Sequence, residues 1–180
     1  YYKGIFTTLS SCASRQLEEV TFRRATISVP ELMATAGKYF RKVYKGNKAH
    51  IDFKIQLLEG RITGDWNQLR FLLENLIDEA CSVTLDGAVC LSVREDGEFI
   101  RFLFTDMRRE KTREELNQLF YPDLSRMTAG EKGELYGTEY LVCKQIIRDH
   151  DEFAGRRGCR INAEPAEGGG FTVYFTIPRR

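Results

Sequence analysis

Apolar positions along the chain fall into alternating helical and strand-like periods. Ile5, Leu9, Cys12, Ala13, Leu17 and Val20 recur at helical spacing with charges between them, which predicts a helix over residues 1 to about 24. The short β-like run "ATISV" leads to Pro30, well placed in the first turn of a second helix, where Leu32, Ala36, Tyr39, Phe40 and Val43 share a face and "KGNK" ends it. "HIDFKIQLL" alternates as a strand, and "EGRITGD" reads as a turn, a short strand and a cap. Asp65 is the N-cap of a third helix, whose Leu69, Leu72, Leu73, Leu76, Ile77 and Ala80 line one apolar stripe. Strands "AVCLSVR" and "FIRFLFTD" are joined at Asp96-Gly97, a hairpin signal. A helix from Thr112 to Phe120, a polar glycine-containing loop, a helix from Thr138 to His150, and strands "CRINAE" and "FTVYFTIP" around "PAEGGG" complete the chain. In the last strand Phe171, Val173, Phe175 and Ile177 alternate, so one sheet face is buried. The pattern predicts an α/β (α+β) two-layer sandwich: a mixed, largely antiparallel sheet with helices near 30–45, 65–83 and 138–150 on one face.

Composition narrows the function classes. Apolar residues make up 42% of the 180 and charged residues 29%, ordinary for a globular domain of this size, and the formal net charge of +1 gives no field directed at nucleic acid or an anionic membrane. No apolar run approaches the roughly 18 residues needed to span a bilayer. The chain begins at Tyr1 without methionine, so a longer parent is expected, with any membrane segment outside this piece and a cytoplasmic setting expected for the piece itself. The five cysteines are scattered without a C-x-x-C pair, and only His50 and His150 are available to join them at a metal. Buried free thiols are therefore expected rather than zinc or disulfides. No nucleophile motif accompanies either histidine, which argues against triad hydrolysis.

Three local features bear on chemistry. Asn75, Glu79 and Ser82 fall at i, i+4 and i+7 on the third helix, a polar stripe beside the leucine face that suits a cation or a polarised water, although solvated helix residues give the same pattern. Asp106, at a strand end, is an acceptor suited to an exocyclic amine such as that of adenine. Gly137-Thr138 opens a helix, whose free N–H groups suit a phosphate. Between Asp106 and the helix after Thr112, however, stand Arg108, Arg109, Glu110 and Lys111, where a close ligand calls for glycine.

In order and spacing these features resemble the GHKL ATPases, most of all the catalytic, ATP-binding domain of sensor histidine kinases. "DWNQLRFLLENLIDEACSV" resembles the N box, "FTDMRREKTREELNQLF" stands where the first glycine box (D-x-G-x-G) and the phenylalanine box belong, and "LYGTEYLVCKQIIRDH" stands for the second glycine box. "GCRINAEPAEGGGFTVYFTIP" is similar to the closing hairpin, and "ISVPELM" and "HIDFKIQLLEGRITGD" match what precedes the N box. The resemblance covers roughly residues 26 to 178, apart from a short insertion around "EFAGRR", with residues 1–25 as the end of a dimerisation helix.

The resemblance implies a nucleotide site built from Asn75, Glu79, Asp106, Gly137 and Thr138, with ATP and Mg²⁺ as cofactors. Glu79 stands where the family's magnesium-binding asparagine belongs, and a carboxylate still ligates Mg²⁺. Arg108 and Glu110 replace both glycines of D-x-G-x-G, Glu139 replaces a glycine of the second box, and Ser82 replaces the usual basic residue. These departures imply a degenerate, pseudokinase-like site with weak or lost ATP binding, in which Arg108 or Arg109 occupies or screens the pocket and Arg108 pairs with Asp106 or Glu79. The implied partners are a second copy through the N-terminal helix and a response regulator. Two alternatives stay open: an active ATP-to-histidine phosphotransfer domain with atypical residues, and a protein-interaction scaffold without nucleotide. A gyrase-type or mismatch-repair ATPase is disfavoured, because Asn75 stands where those enzymes place a catalytic glutamate. Neither His50 nor His150 matches a phosphoacceptor motif.

Overall fold

The computed structural model describes residues 21–47, 49–121 and 138–180. The elements are β1 (Ala25–Ser28), α1 (Val29–Val43), β2 (Ile51–Ile55), β3 (Arg61–Gly64), α2 (Trp66–Cys81), β4 (Gly87–Asp96), β5 (Phe99–Asp106), α3 (Arg113–Phe120), α4 (Thr138–Phe153), β6 (Ile161–Pro165) and β7 (Phe171–Pro178). β2, β4, β5, β7 and β6 form, in that order, a five-stranded sheet in which only the β2–β4 pair is parallel. The expected single sheet is in fact two, because β1 and β3 pair antiparallel as a separate ribbon. A single bridge from Ile62 to Arg179 ties that ribbon to the end of β7.

Local chemistry explains the element boundaries. Ser28 caps α1 by accepting from the Glu31 amide, with Pro30 in the first turn. Asp65 caps α2 through the Gln68 amide, and Thr112 and Glu115 form a reciprocal capping box on α3. Asp96 pairs with Phe99, so the hairpin loop is Gly97-Glu98 and not Asp96-Gly97. Gly97, at φ 60°, takes the first loop position, where a side chain would be strained.

The α2 stripe lies fully inside the core with Leu32 and Met33 of α1, Cys143, Ile146 and Ile147 of α4, and Phe102, Phe175 and Ile177 of the sheet. Burying each such large apolar side chain stabilises the fold by about 1.5–3 kcal/mol, so this stripe fixes how α2 is rotated. Its polar flank is thereby turned toward the ends of β5 and α4. The opposite sheet face has hydroxyl and cationic cover: Thr105 bonds Thr172 at 2.8 Å, Arg101 lies over the Tyr174 ring at 4.7 Å, and Thr176 donates to the Gly158 carbonyl at 3.2 Å. This is why Thr172 and Thr176 are buried on that face.

The helix expected to reach residue 24 is not present where the chain is described. Residues 21–24 have no helical structure, and residues 1–20 lie outside the described part. The Arg23 amide donates to Asp65 Oδ2 at 3.0 Å, and the Phe22 ring stands edge-on to His150, with centroids 4.8 Å apart. His150 is fully buried, with Nδ1 bonded to the Ile146 carbonyl at 2.8 Å and Nε2 accepting from the Asp65 amide at 3.0 Å. Because a carbonyl only accepts and an amide only donates, this imidazole is the neutral Nδ1–H tautomer. Among the described residues no helix is long and apolar enough to cross a membrane, and no group of histidine, cysteine or carboxylate side chains is arranged to hold a metal ion. Among the described residues, Cys81, Cys90 and Cys159 are free thiols.

Candidate functional site

Where the last turn of α2 meets the end of β5 and the first turn of α4, the structure brings together Glu79, Asp106, Arg108, Arg109 and Tyr140. Asp106 and Glu79 are both buried, because β5 and α2 deliver them from positions adjoining the core. Two buried carboxylates side by side need cations, and the turn after β5 supplies two.

Arg108 folds back over its own neighbour. Its amide and Nε donate to Asp106 Oδ1 at 2.9 and 3.0 Å, and its Nη2 donates to Oδ2 at 2.9 Å. The same guanidinium donates to the carbonyls of Ala80 at 2.6 Å, Leu85 at 2.9 Å and Val83 at 3.3 Å. These carbonyls lie at and just past the C-terminal end of α2, so Arg108 works as a cationic cap there. Its side chain is 1% exposed. Gly87 gives it room: a Cβ there would lie 2.7 Å from Arg108 Cγ.

Arg109 closes the other side. Nη1 and Nη2 donate to Glu79 Oε1 and Oε2 at 2.9 and 2.8 Å, a two-pronged pair, and Nε donates to Asp106 Oδ2 at 2.9 Å. The guanidinium lies 5.2 Å from the Phe171 ring centroid, and its side chain is 13% exposed. Tyr140 adds a donor to Glu79 Oε2 at 2.8 Å. Burial, the Glu79 charge and this hydrogen bond together raise the Tyr140 phenol well above its ordinary range. Burial works to raise the Asp106 carboxyl, but the Arg108 hydrogen bonds and the charges of both arginines outweigh it and hold the carboxyl low. Burial likewise disfavours the Arg109 cation, yet the Glu79 bond and charge raise its pKa.

Of the residues selected from sequence, Glu79, Asp106, Arg108 and Arg109 form one network. The pairing expected of Arg108 is divided: Arg108 takes Asp106, and Arg109 spans Asp106 and Glu79. Asn75 lies one turn before Glu79, and its buried Nδ2 has no hydrogen-bond partner among the described residues. Ser82 is exposed and donates to the Glu79 carbonyl at 2.6 Å, ending the helix. Thr138 opens α4, and Gly137 lies outside the described residues. Glu110 reaches the opposite wall, accepting from the Gly170 amide at 3.0 Å.

Sequence reasoning missed Tyr140, Gly87 and Gly170. Tyr140 occupies the same apolar stripe of α4 as Cys143, Ile146, Ile147 and His150, and a polar-tipped aromatic on such a stripe implies a buried partner. A Cβ on Gly170 would come within 2.1 Å of the Asp106 carbonyl oxygen, so its part in the "GGG" turn is close backbone approach.

The model of the histidine kinase-, DNA gyrase B- and HSP90-like ATPases matches residues 64–180. No curated protein matches the sequence. Among solved structures, the catalytic domain of histidine kinase ThkA is 19% identical, with a TM-score of 0.67 over 87% of this chain and 96% of that one. Mycobacterial sensor histidine kinase MprB is 17% identical, with a TM-score of 0.66 over 88% and 99%. Full-length ShkA in complex with AMPPNP is 15% identical, with a TM-score of 0.73 over 98% of this chain and 36% of that one. At these identities the likeness is one of fold.

Proposed function

The chain belongs to the family of histidine kinase-, DNA gyrase B- and HSP90-like ATPases, and on that premise we propose that it is a degenerate histidine-kinase-type domain that signals without strong nucleotide binding. Asp106 carries this reading. A carboxylate offers about four lone-pair sites, and Asp106 fills them with the Arg108 amide, Arg108 Nε, Arg108 Nη2 and Arg109 Nε. An adenine amine would find no free acceptor on it. Glu79, the residue placed to hold Mg²⁺ in a family that binds ATP with that ion, has both oxygens engaged by Arg109. As arranged, the residues present do not fit ATP and Mg²⁺.

A domain of this kind acts through contacts. Histidine kinase ThkA, 17% identical and covered over 49% of its chain with a TM-score of 0.70, has been solved in complex with the response regulator TrrA. That complex supports a response-regulator partner for the parent of this chain; a cytoplasmic setting and dimerisation through the N-terminal segment, residues 1–25, belong to the same proposal. The active-kinase reading draws on one observation, the acid kept at Asp106 together with an oxygen ligand, Glu79, at the place of the magnesium-binding asparagine. Calorimetric titration with Mg-ATP separates the two. No saturable heat up to millimolar nucleotide is expected, and micromolar binding would overturn the degenerate reading.

A further inference from the structure

Away from the arginine network, a cleft lies between the C-terminal end of α1 and the start of β2. Its volume is about 440 Å³, within the range of small-ligand sites. Phe40, Tyr44, Asn47, His50, Ile51 and Asp52 line it, and none of them belongs to the network of Glu79, Asp106, Arg108, Arg109 and Tyr140. The apolar wall is set by the fold itself. The Phe40 ring stacks on Phe53, with centroids 4.9 Å apart and planes at 25°, and Tyr44 stacks on Phe40 at 6.1 Å and 28°. The Tyr44 hydroxyl donates to Asp78 Oδ1, which also accepts from Tyr39 at 2.7 Å. Tyr44 is therefore held in place and leaves its ring, not its hydroxyl, as the recognition surface.

Asn47 supplies the polar feature. Its Oδ1 accepts from the Ala49 amide at 3.4 Å, which orients the side chain, while its Nδ2 is buried with no hydrogen-bond partner among the described residues. A buried N–H left unpaired costs stability that an acceptor would recover. Of the three buried side-chain atoms in this condition, Asn47 Nδ2, Gln68 Oε1 and Asn75 Nδ2, it is the one whose residue lines the cleft. Asp52, the one carboxylate in the lining, pairs with Lys54 at 3.5 Å, so its charge is already balanced and an uncharged ligand is matched. A stacking surface beside a lone N–H donor calls for a ring joined to an acceptor.

We propose that this cleft binds a small, uncharged, planar aromatic molecule that carries a carbonyl, its ring against Phe40 and Tyr44 and its oxygen accepting from Asn47 Nδ2. The assignment is independent of whether the arginine network admits a nucleotide.

The test is an NMR titration of the isotope-labelled chain with benzamide, which joins a ring to a carbonyl, and with toluene and acetamide, which each carry one half of it. Benzamide is expected to give saturable shifts in the millimolar range at the Asn47 side-chain amide and at the backbone amides of Ala49, His50 and Ile51. Either half alone should bind about fivefold more weakly or worse. Asn47→Asp keeps an oxygen to accept from the Ala49 amide and removes only the free donor. It should weaken benzamide by about fivefold or more, the worth of one net hydrogen bond, while the rest of the spectrum stays unchanged. Should that variant not fold, Asn47→Ala takes its place, and misfolding of both would overturn the proposal by making Asn47 structural. No saturable shift at these amides up to tens of millimolar benzamide, or equal affinity in the folded variant, would overturn it and leave Nδ2 to water. Toluene binding as tightly as benzamide would overturn it by reducing the cleft to apolar contact. Tighter binding of N-acetylphenylalanine amide than of benzamide would give the cleft to a partner's peptide and overturn the small-molecule assignment.

Discussion

Replacing Arg108 by glycine, the residue the D-x-G-x-G pattern calls for, is expected to damage the protein rather than repair it. The substitution removes side-chain hydrogen bonds to Asp106 Oδ1 and Oδ2 and to the carbonyls of Ala80, Val83 and Leu85. Breaking a buried ion pair by deleting one partner costs about 3–5 kcal/mol, and the 1% exposure of both side chains leaves little solvent screening to soften it. Arg109 remains on Asp106 Oδ2, so the lower part of that range applies. Water entering the vacated space can satisfy the exposed carbonyls, whereas glycine adds roughly 0.5–1 kcal/mol of backbone entropy. A net loss of about 3–4 kcal/mol is the estimate. For a domain of this size each kcal/mol moves Tm by about 2–4 °C, which gives a fall of roughly 6–16 °C. Urea denaturation followed by far-UV circular dichroism measures it, with Arg157→Ala as control, because the Arg157–Asp151 pair is largely exposed and should cost under about 0.5 kcal/mol. A loss below about 1 kcal/mol for Arg108→Gly would refute the capping argument, since a guanidinium in bulk solvent would give that result.

Other substitutions examine separate parts of the same reasoning. Asp106→Asn should lower stability at pH 7 and flatten the acid limb of the stability profile. The Asp106 carboxyl is held low in the fold, so its contribution is present above the ordinary carboxylate range of about 3.9 and is lost as pH falls through the folded value. Wild type and variant should therefore converge on acidification, and parallel curves would contradict this. Gly64→Ala puts a Cβ 2.9 Å from the His150 ring, and should cost about 1–3 kcal/mol by overpacking, read as a shift in the urea midpoint. Burial raises the Cys81 thiol to about 11 and the Cys159 thiol to about 12, so alkylation of both by iodoacetamide at pH 7.5, followed by peptide mapping, should be slow until the protein is unfolded.

What the sequence determined by itself was largely periodic. The leucine stripe of α2 was legible because burial of one helix face demands apolar residues every three to four positions. Asp65 was legible as a cap because capping is settled by neighbours within a single turn, whereas the caps Ser28 and Thr112 were seen only in the structure. The acids Asp106 and Glu79 were visible as site residues through their place in a motif order, and the lost glycines showed that something other than a close ligand stood beside them. Tertiary structure alone decided which cation meets which acid. Glu79 and Arg109 are thirty residues apart, and Arg108 spends its donors on the end of α2, which no local pattern in the "DMRREK" turn reveals. His150 offered no sequence signal beyond its place at the end of a helical stripe, yet it is the joint between α4 and the cap of α2. Local spacing encodes the elements and their buried faces, while the pairing of charges depends on where those faces come to rest, and that is fixed by packing.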